Sequence, residues 1–369
     1  MNLEDLGYSD WHGRKLEGRE REGDELEGRG TDEARIARIA AVDRDRCLIA
    51  GPFGSVPAAV SGRLLYCSDS LEDLPCVGDW VLVDYVDGHQ HAVIYEALPR
   101  RTVLRRRAPG GSAVYQPIAS NIDVAYIVQS CDVDFSLNRL DRYLVMAADG
   151  GITSKLLLTK CDLITRDEVD HLVAEVKKDH GIEVAALSSA TGAGYDQFTH
   201  SLERGMTYCL LGSSGVGKSS ILNRLLGTEM LATSAVREKS GKGRHTTTRR
   251  QLIALESGAL FVDTPGMREL GMLAFGAGLE EGYRDIAAAA AECRYADCTH
   301  TSEKGCAVLA QVDTGQLSRE RYESYLKLTR ESEHYEMTSL EKRRKDRAFG
   351  KMLKDYERFN KRRSLNDEV

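Results

Sequence analysis

The sequence predicts a multidomain α/β protein: a small N-terminal β-barrel, then a parallel α/β sheet, then a helical C-terminal region. Three observations lead there. Five short β-type runs crowd residues 34–100. Continuous apolar runs alternate with an amphipathic helical pattern over residues 121–271. An alanine-rich stretch, a Cys/His cluster and a charged tail with one apolar face follow. The expected divisions are 1–30, 31–99, 100–120, 121–275 and 276–369.

Residues 1–30 are rich in Gly, Glu and Arg and poor in apolar residues, so a mobile extension is expected. They lack the apolar core of a secretory signal. From Ala34 come "ARIARIAAV", "RCLIAG", "SVPAAVSGRLLYC", "DWVLVDYV" and "HAVIYEALPR", separated by turns such as "GPFG" and "DGHQ". Five strands in so short a span point to a closed barrel of the OB-fold kind. Such a barrel binds nucleic acid or serves only for packing, and pattern alone leaves both readings open. "PRRTVLRRRAPGG" follows as a basic link carrying Arg100, Arg101, Arg105, Arg106 and Arg107, either solvated or RNA-facing.

"DVAYIVQS", "SKLLLTK", "EVAALSS", "TYCLLG" and "ALFVDTPG" read as buried strands of a parallel sheet, with "LNRLDRYLVMAADG" as a helix between the first two. No run of eighteen apolar residues occurs, so no membrane span is expected. Nine irregularly spaced cysteines suit a reduced, cytoplasmic protein better than a disulfide framework. The net charge is −7, yet residues 341–363 hold eleven Lys or Arg against four Asp or Glu. That local stripe suits a polyanion such as RNA, or a merely solvated helix.

The most specific motif is "GSSGVGKS", between a strand and a helix. Gly212, Ser213, Ser214, Gly215, Val216, Gly217, Lys218, Ser219 and Ser220 form the expected phosphate site. Backbone N–H groups there wrap phosphates at a positive helix end. Lys218 would neutralise the β- and γ-phosphates and Ser219 would ligate Mg²⁺. "FVDTPG" places Asp263 for Mg²⁺, and Gly266 for an N–H to the γ-phosphate. Between the two lies the polar loop "SGKGRHTTTRR", where one of Thr246 to Thr248, Thr247 for preference, would cap Mg²⁺ as part of a γ-phosphate switch.

The residues that read the base precede the phosphate loop. "TKCD" resembles the guanine-reading Asn-Lys-x-Asp, with Thr159 for Asn. Asp162 can accept hydrogen bonds from guanine N1 and N2, and Lys160 can lie along the base. "SSATGAG" supplies Ser189 and an N–H around Ala190 for guanine O6. GTP is therefore expected over ATP, in a circularly permuted P-loop GTPase domain. The switch then leads straight into the C-terminal region. There Cys293, Cys298, His300 and Cys306 form a four-ligand set of the structural zinc kind. Four protein ligands leave no open position for catalysis.

The ordered set "TKCD", "SSATGAG", "GSSGVGKSS", "GRHTTT", "DTPG" and "CRYADCTH…GCAV" closely resembles the circularly permuted, small-ribosomal-subunit-dependent GTPases of the RsgA (YjeQ/YloQ) family, over residues 31–363. The resemblance implies an OB-fold barrel, a permuted GTPase domain and a C-terminal zinc domain with one Zn²⁺. It further implies a late role in maturation of the bacterial small subunit, with contact to its rRNA and hydrolysis stimulated by it. A monomer is expected. Met267 stands where many GTPases carry a water-orienting Gln. His245 is the expected replacement, the role its counterpart has in the family; an exposed loop histidine or an RNA contact is the other reading. Lys218 and Thr247 complete the expected catalytic set. The alternative is an RNA-binding module in which GTP or GDP serves mainly as a structural ligand.

Overall fold

In the computed structural model, the residues described are 2–21, 33–43, 46–68, 70–107, 115–132, 134–227, 250–263 and 276–336. The barrel comprises β1 (Ile36–Val42), β2 (Cys47–Gly51), β3 (Gly54–Val60), β4 (Trp80–Val86) and β5 (His91–Ala97). Along β3, Val56 and Ala58 point inward while Ser55, Pro57 and Ala59 face out, the period-two alternation of a strand with one buried face. The order β1-β2-β3-β5-β4 closes through pairing of β1 with β4, with Ala37 opposite Val81. Only β3 and β5 run parallel within it. Ala37, Ile39, Ile49, Val81, Val83 and Ile94 fill the interior. One expected run divides. "SVPAAV" is β3, but Ser61 caps a short helix, α2 (Gly62–Cys67), its Oγ accepting from the Leu64 N–H at 3.2 Å.

The N-terminal segment departs from the expected mobile extension over its described part. Glu4–Leu6 form one 3-10 turn and Asp10–Arg21 form α1. Leu3 and Leu6 are buried beside Ile36, Trp80 and Leu98. Tyr8 sets its ring edge-on to Trp80 at 4.9 Å, and Asp5 pairs with Arg204 at 2.8 Å. The fully buried Arg38 donates to the Leu6 carbonyl, to Gly78 O at 3.1 Å, to Thr207 Oγ1 at 2.9 Å and to Asn121 O at 2.9 Å. The segment has too few apolar residues for a core of its own. It instead lays those few into a seam between barrel and sheet. Residues 22–32 lie outside the described residues.

The basic link also departs from expectation. Val103–Arg107 (β6) and Tyr115–Ser120 (β7) form an antiparallel pair. Four of its five arginines have partners within the fold. Arg100 binds both oxygens of the buried Asp79 at 2.8 Å, along with the carbonyls of Glu72 and Leu74. Arg101 pairs with Asp123, and Arg105 with Asp149 at 3.0 Å. Arg106 donates to Gln116 at 3.3 Å.

The second sheet is ordered β10-β9-β8-β11-β13-β12. Its strands are β8 (Val124–Ser130), β9 (Thr153–Thr159), β10 (Val184–Ala186), β11 (Thr207–Leu211), β12 (Arg250–Ala254) and β13 (Leu260–Asp263). All seven residues of β8 are buried, as a central parallel strand covered on both faces requires. β10, expected to be buried, is a half-buried edge. β12 was not legible as a strand. It runs antiparallel to β13 and continues into the barrel, with Ala41 opposite Gln251. The helices α3 (Leu137–Asp149), α4 (Arg166–His180), α5 (Tyr195–His200) and α6 (Lys218–Leu226) connect the strands.

The C-terminal helices Gly276–Gly282, Arg284–Ala290, Ala307–Asp313 and Arg319–Glu336 follow. The first lies close on α3, since a Cβ on Gly278 would meet Asp149 Cβ at 2.5 Å. The buried Arg321 ties them to the sheet, reaching Asp285 at 2.6 Å and Asp141 of α3 at 3.0 Å. Among the described residues no helix is long and apolar enough to cross a membrane. The basic stripe of residues 341–363 lies outside them.

Candidate functional site

The phosphate loop leaves β11 at the middle of the sheet and enters α6. Gly212 is required by close approach: a Cβ there would sit 2.3 Å from Val128 O. Gly217 has φ 104°, a conformation that favours glycine. The Lys218 ammonium folds back onto the loop, 2.6 Å from Gly212 O and 2.5 Å from Ser213 O. That holds the cation against the loop. Ser219 and Ser220 lie in the first turn of α6, whose N-cap, Gly217, supplies no side-chain cap. Ser213, Ser214, Gly215 and Val216 complete the turn. Asp263 ends β13, next to β11. Burial pushes its carboxyl pKa up, and the Lys218 charge opposes that.

The elements expected to read the base lie on the same edge of the sheet. Thr159 ends β9 and is buried. Its hydroxyl donates to Val216 O at 2.6 Å, which joins the expected base reader directly to the loop before α6. Lys160 has φ 56° and its ammonium is 2.9 Å from Asp132 Oδ2. Asp162 is exposed, and its Oδ1 accepts from Ser188 Oγ at 2.5 Å. The Ser189–Ala190 turn is pinned from below. Ser189 Oγ bonds the Tyr195 hydroxyl at 2.7 Å, and the Arg224 guanidinium lies 4.4 Å over the Tyr195 ring while donating to Ser189 O. Sequence reasoning missed Asp132, Tyr195 and Arg224. Asp132 alone left a signal, as a carboxylate just past a buried strand.

His245, Thr246, Thr247, Thr248, Gly266 and Met267 lie outside the described residues.

The Cys/His set does come together. Ligand atoms of Cys293, Cys298, His300 and Cys306 all lie within 4.8 Å of one another. Cys293 Sγ is 3.9 Å from Cys306 Sγ, and His300 Nδ1 is 3.6 and 3.5 Å from those two sulfurs. A tetrahedral ion with metal–sulfur bonds of about 2.3 Å needs sulfurs about 3.8 Å apart, so the set fits a metal ion. The Ala307 and Leu309 N–H groups reach Cys293 and Cys306 sulfurs at 3.4 Å, contacts that favour thiolates. Burial pushes the His300 pKa down, which favours the neutral, ligating imidazole. Tyr322 donates to His300 O at 2.7 Å and binds the cluster to the last helix.

Two family models match the chain: RsgA GTPase over residues 97–273, and 50S ribosome-binding GTPase over residues 207–342. The small ribosomal subunit biogenesis GTPase RsgA 2 of Lactiplantibacillus plantarum is 43% identical over 317 residues, 85% of this chain and 89% of the relative. The small ribosomal subunit biogenesis GTPase RsgA of Opitutus terrae is 41% identical over 305 residues, 80% and 83% of the two chains. Among solved structures, YjeQ from Thermotoga maritima superposes with a TM-score of 0.60 at 23% identity, covering 81% of this chain and 98% of that one. YloQ, described as a circularly permuted GTPase, gives 0.59 at 23% identity, covering 84% and 100%. Those structures share the fold: closed five-stranded barrel, permuted nucleotide-binding sheet and C-terminal region. Identity near two-fifths over most of both chains goes beyond a shared fold, and places this GTP hydrolase in the RsgA family.

Proposed function

We propose that the chain hydrolyses GTP as a late checkpoint in maturation of the small ribosomal subunit, binding its rRNA and accelerated by it. The observation that carries this reading is the pairing of a phosphate loop with a guanine-type reader through the Thr159–Val216 bond, in a chain whose relatives bear the printed name small ribosomal subunit biogenesis GTPase.

In this reading Asp162 takes guanine N1 and N2, Ser189 and Ala190 lie at O6, and Lys160 flanks the base. Lys218 leaves its two loop carbonyls for the β- and γ-phosphates. Ser219, Asp263 and Thr247 would hold Mg²⁺, which when bound supplies charge neutralisation at the phosphates. His245 orients the attacking water, and Met267, which cannot, leaves intrinsic turnover slow. Gly266 supplies an N–H to the γ-phosphate. Cys293, Cys298, His300 and Cys306 would hold one structural Zn²⁺. We place the protein in the cytoplasm as a monomer, with the tail of residues 341–363 as its rRNA grip.

Multiple-turnover GTP hydrolysis with and without small subunits tests this. Stimulation by small subunits and not by large ones is expected. Equal, negligible turnover in both, with tight GTP binding, would favour the structural-ligand reading.

A further inference from the structure

Cys131 and Cys161 meet at the base reader. Cys131 follows the last residue of β8, and Cys161 is the third residue of "TKCD" after β9. The two strands are parallel neighbours, with Ser130 opposite Thr159, and the Cys131 N–H donates to Thr159 O at 2.8 Å. That pairing brings the two side chains together. Their sulfurs are 3.3 Å apart and both thiols are free. This is closer than the 3.9 Å between Cys293 and Cys306 in the metal cluster. Yet among the described residues no third ligand joins the pair. A disulfide needs about 2.05 Å, so the sulfurs must approach by about 1.3 Å more.

The pair is asymmetric. Cys131 is buried and Cys161 half-buried. The hydrogen bond between them pushes the Cys131 thiol pKa up and holds that of Cys161 below its ordinary value. Cys161 is thus the sulfur with both thiolate character and access. On either side of it, Lys160 is held to Asp132 and Asp162 to Ser188.

We propose that Cys131 and Cys161 form a reversible disulfide that disables guanine recognition, an inference that rests on the reading of Asp162 as the base contact. The oxidant is a hydroperoxide. The Cys161 sulfur attacks a peroxide oxygen, the O–O bond breaks, and hydrogen peroxide yields a sulfenic acid and one water. The Cys131 sulfur then attacks the sulfenic sulfur. The S–S bond forms, the S–O bond breaks, and a second water leaves with the remaining thiol proton. The two thiols lose two electrons and the peroxide gains them. Closure draws Cys161 toward β8 and takes the flanking Lys160 and Asp162 with it. A dithiol reverses the reaction.

The test uses full-length, metal-loaded protein treated with stoichiometric hydrogen peroxide, alkylated and digested. Peptide mass spectrometry reads the Cys131–Cys161 link, a chromogenic chelator reads metal release, and a fluorescent GDP titration reads affinity. The linked peptide is expected before any metal is released, with GDP affinity reduced at least tenfold and restored by dithiothreitol. Cys131→Ser and Cys131→Ala should bind GDP as the parent does and resist peroxide. Absence of the linked peptide overturns the proposal. So does a linked protein that binds GDP undiminished, or a Cys131 variant as sensitive as the parent. Failure of the reading beneath it looks different: the reduced protein would show no preference for guanine over adenine nucleotides.

Discussion

Replacing Thr159 by Val removes one hydroxyl and almost nothing else. The side chain is buried and valine fills the same space, so no cavity opens. What is lost is the 2.6 Å bond to Val216 O. The second carbonyl in reach, Gln129 O at 3.3 Å, is the weaker recipient of a single proton. Removing one partner of such a buried bond costs about 1–3 kcal/mol. If all of it fell on nucleotide binding, affinity would drop by about 5- to 150-fold, since about 1.4 kcal/mol is tenfold. The bond lies within the fold itself, however, so part of the loss falls on stability. A weakening of about tenfold is the working figure. GTP and GDP should lose alike, because Val216 lies in the loop common to both. Preference for guanine over adenine should persist, because Asp162 is held separately by Ser188. Thr159→Ser should recover most of the loss. The assay is equilibrium titration with fluorescent GDP and a GTP analogue. Thr159→Val binding within twofold of the parent, or a loss confined to one nucleotide, refutes the tether.

Lys218→Ala should cut hydrolysis by orders of magnitude with the fold intact, read by turnover and circular dichroism; near-parental turnover would remove Lys218 from the phosphate site. Asp162→Asn should weaken guanine nucleotides and favour xanthine, whose O2 replaces the N2 amine; competition titrations with GTP, XTP and ATP read it, and unchanged GTP affinity would displace Asp162 as the reader. Cys298→Ser should lose the bound metal by elemental analysis and loosen the C-terminal helices while nucleotide still binds; a full metal complement in that variant would count against the ligand set. Burial, with the nearby Arg38 and Arg101 charges, lowers the His12 pKa from 6.5 to about 4. The folded state therefore disfavours the proton: its contribution is complete above about pH 6.5, falls as pH drops toward about 4, and then levels. Urea melts of parent and His12→Gln across that window should diverge in slope, and parallel curves would contradict the burial of a neutral His12.

Much of the architecture was readable because burial writes a period into the chain. Val56 and Ala58 alternate with outward residues in the barrel, and the apolar run Val124–Val128 marks the start of a central parallel strand buried along its whole length. The phosphate loop was readable because Gly212 and Gly217 answer to geometry that few other residues meet. What escaped depends on partners far away in sequence. Arg100 looks like linker charge until Asp79 is placed beneath it. Leu3 and Leu6 look too sparse to order a segment until Trp80 and Arg38 supply the surface. The run through Ser61 has one composition and two conformations, divided by a single capping hydroxyl. Thr159 departs from the common asparagine, yet its hydroxyl still ties the expected reader to the loop through Val216 O.

The permuted strand order also sets the sequence in which the sheet can be built during synthesis. Within this sheet β8, β9 and β10 emerge first and form three strands whose β8 edge is apolar from Val124 to Val128. Its second neighbour, β11, arrives much later, with Val124 awaiting Tyr208. The barrel waits longer still for β12, since Ala41 pairs with Gln251. The expected base-reading half of the site is therefore translated before the expected phosphate-binding half. An open apolar edge of this kind invites pairing with other chains, and its closure depends on contacts distant along the chain, which form slowly. Refolding from denaturant should be slow, sensitive to protein concentration, and unaided by GTP until the segment beyond Lys218 has joined the sheet.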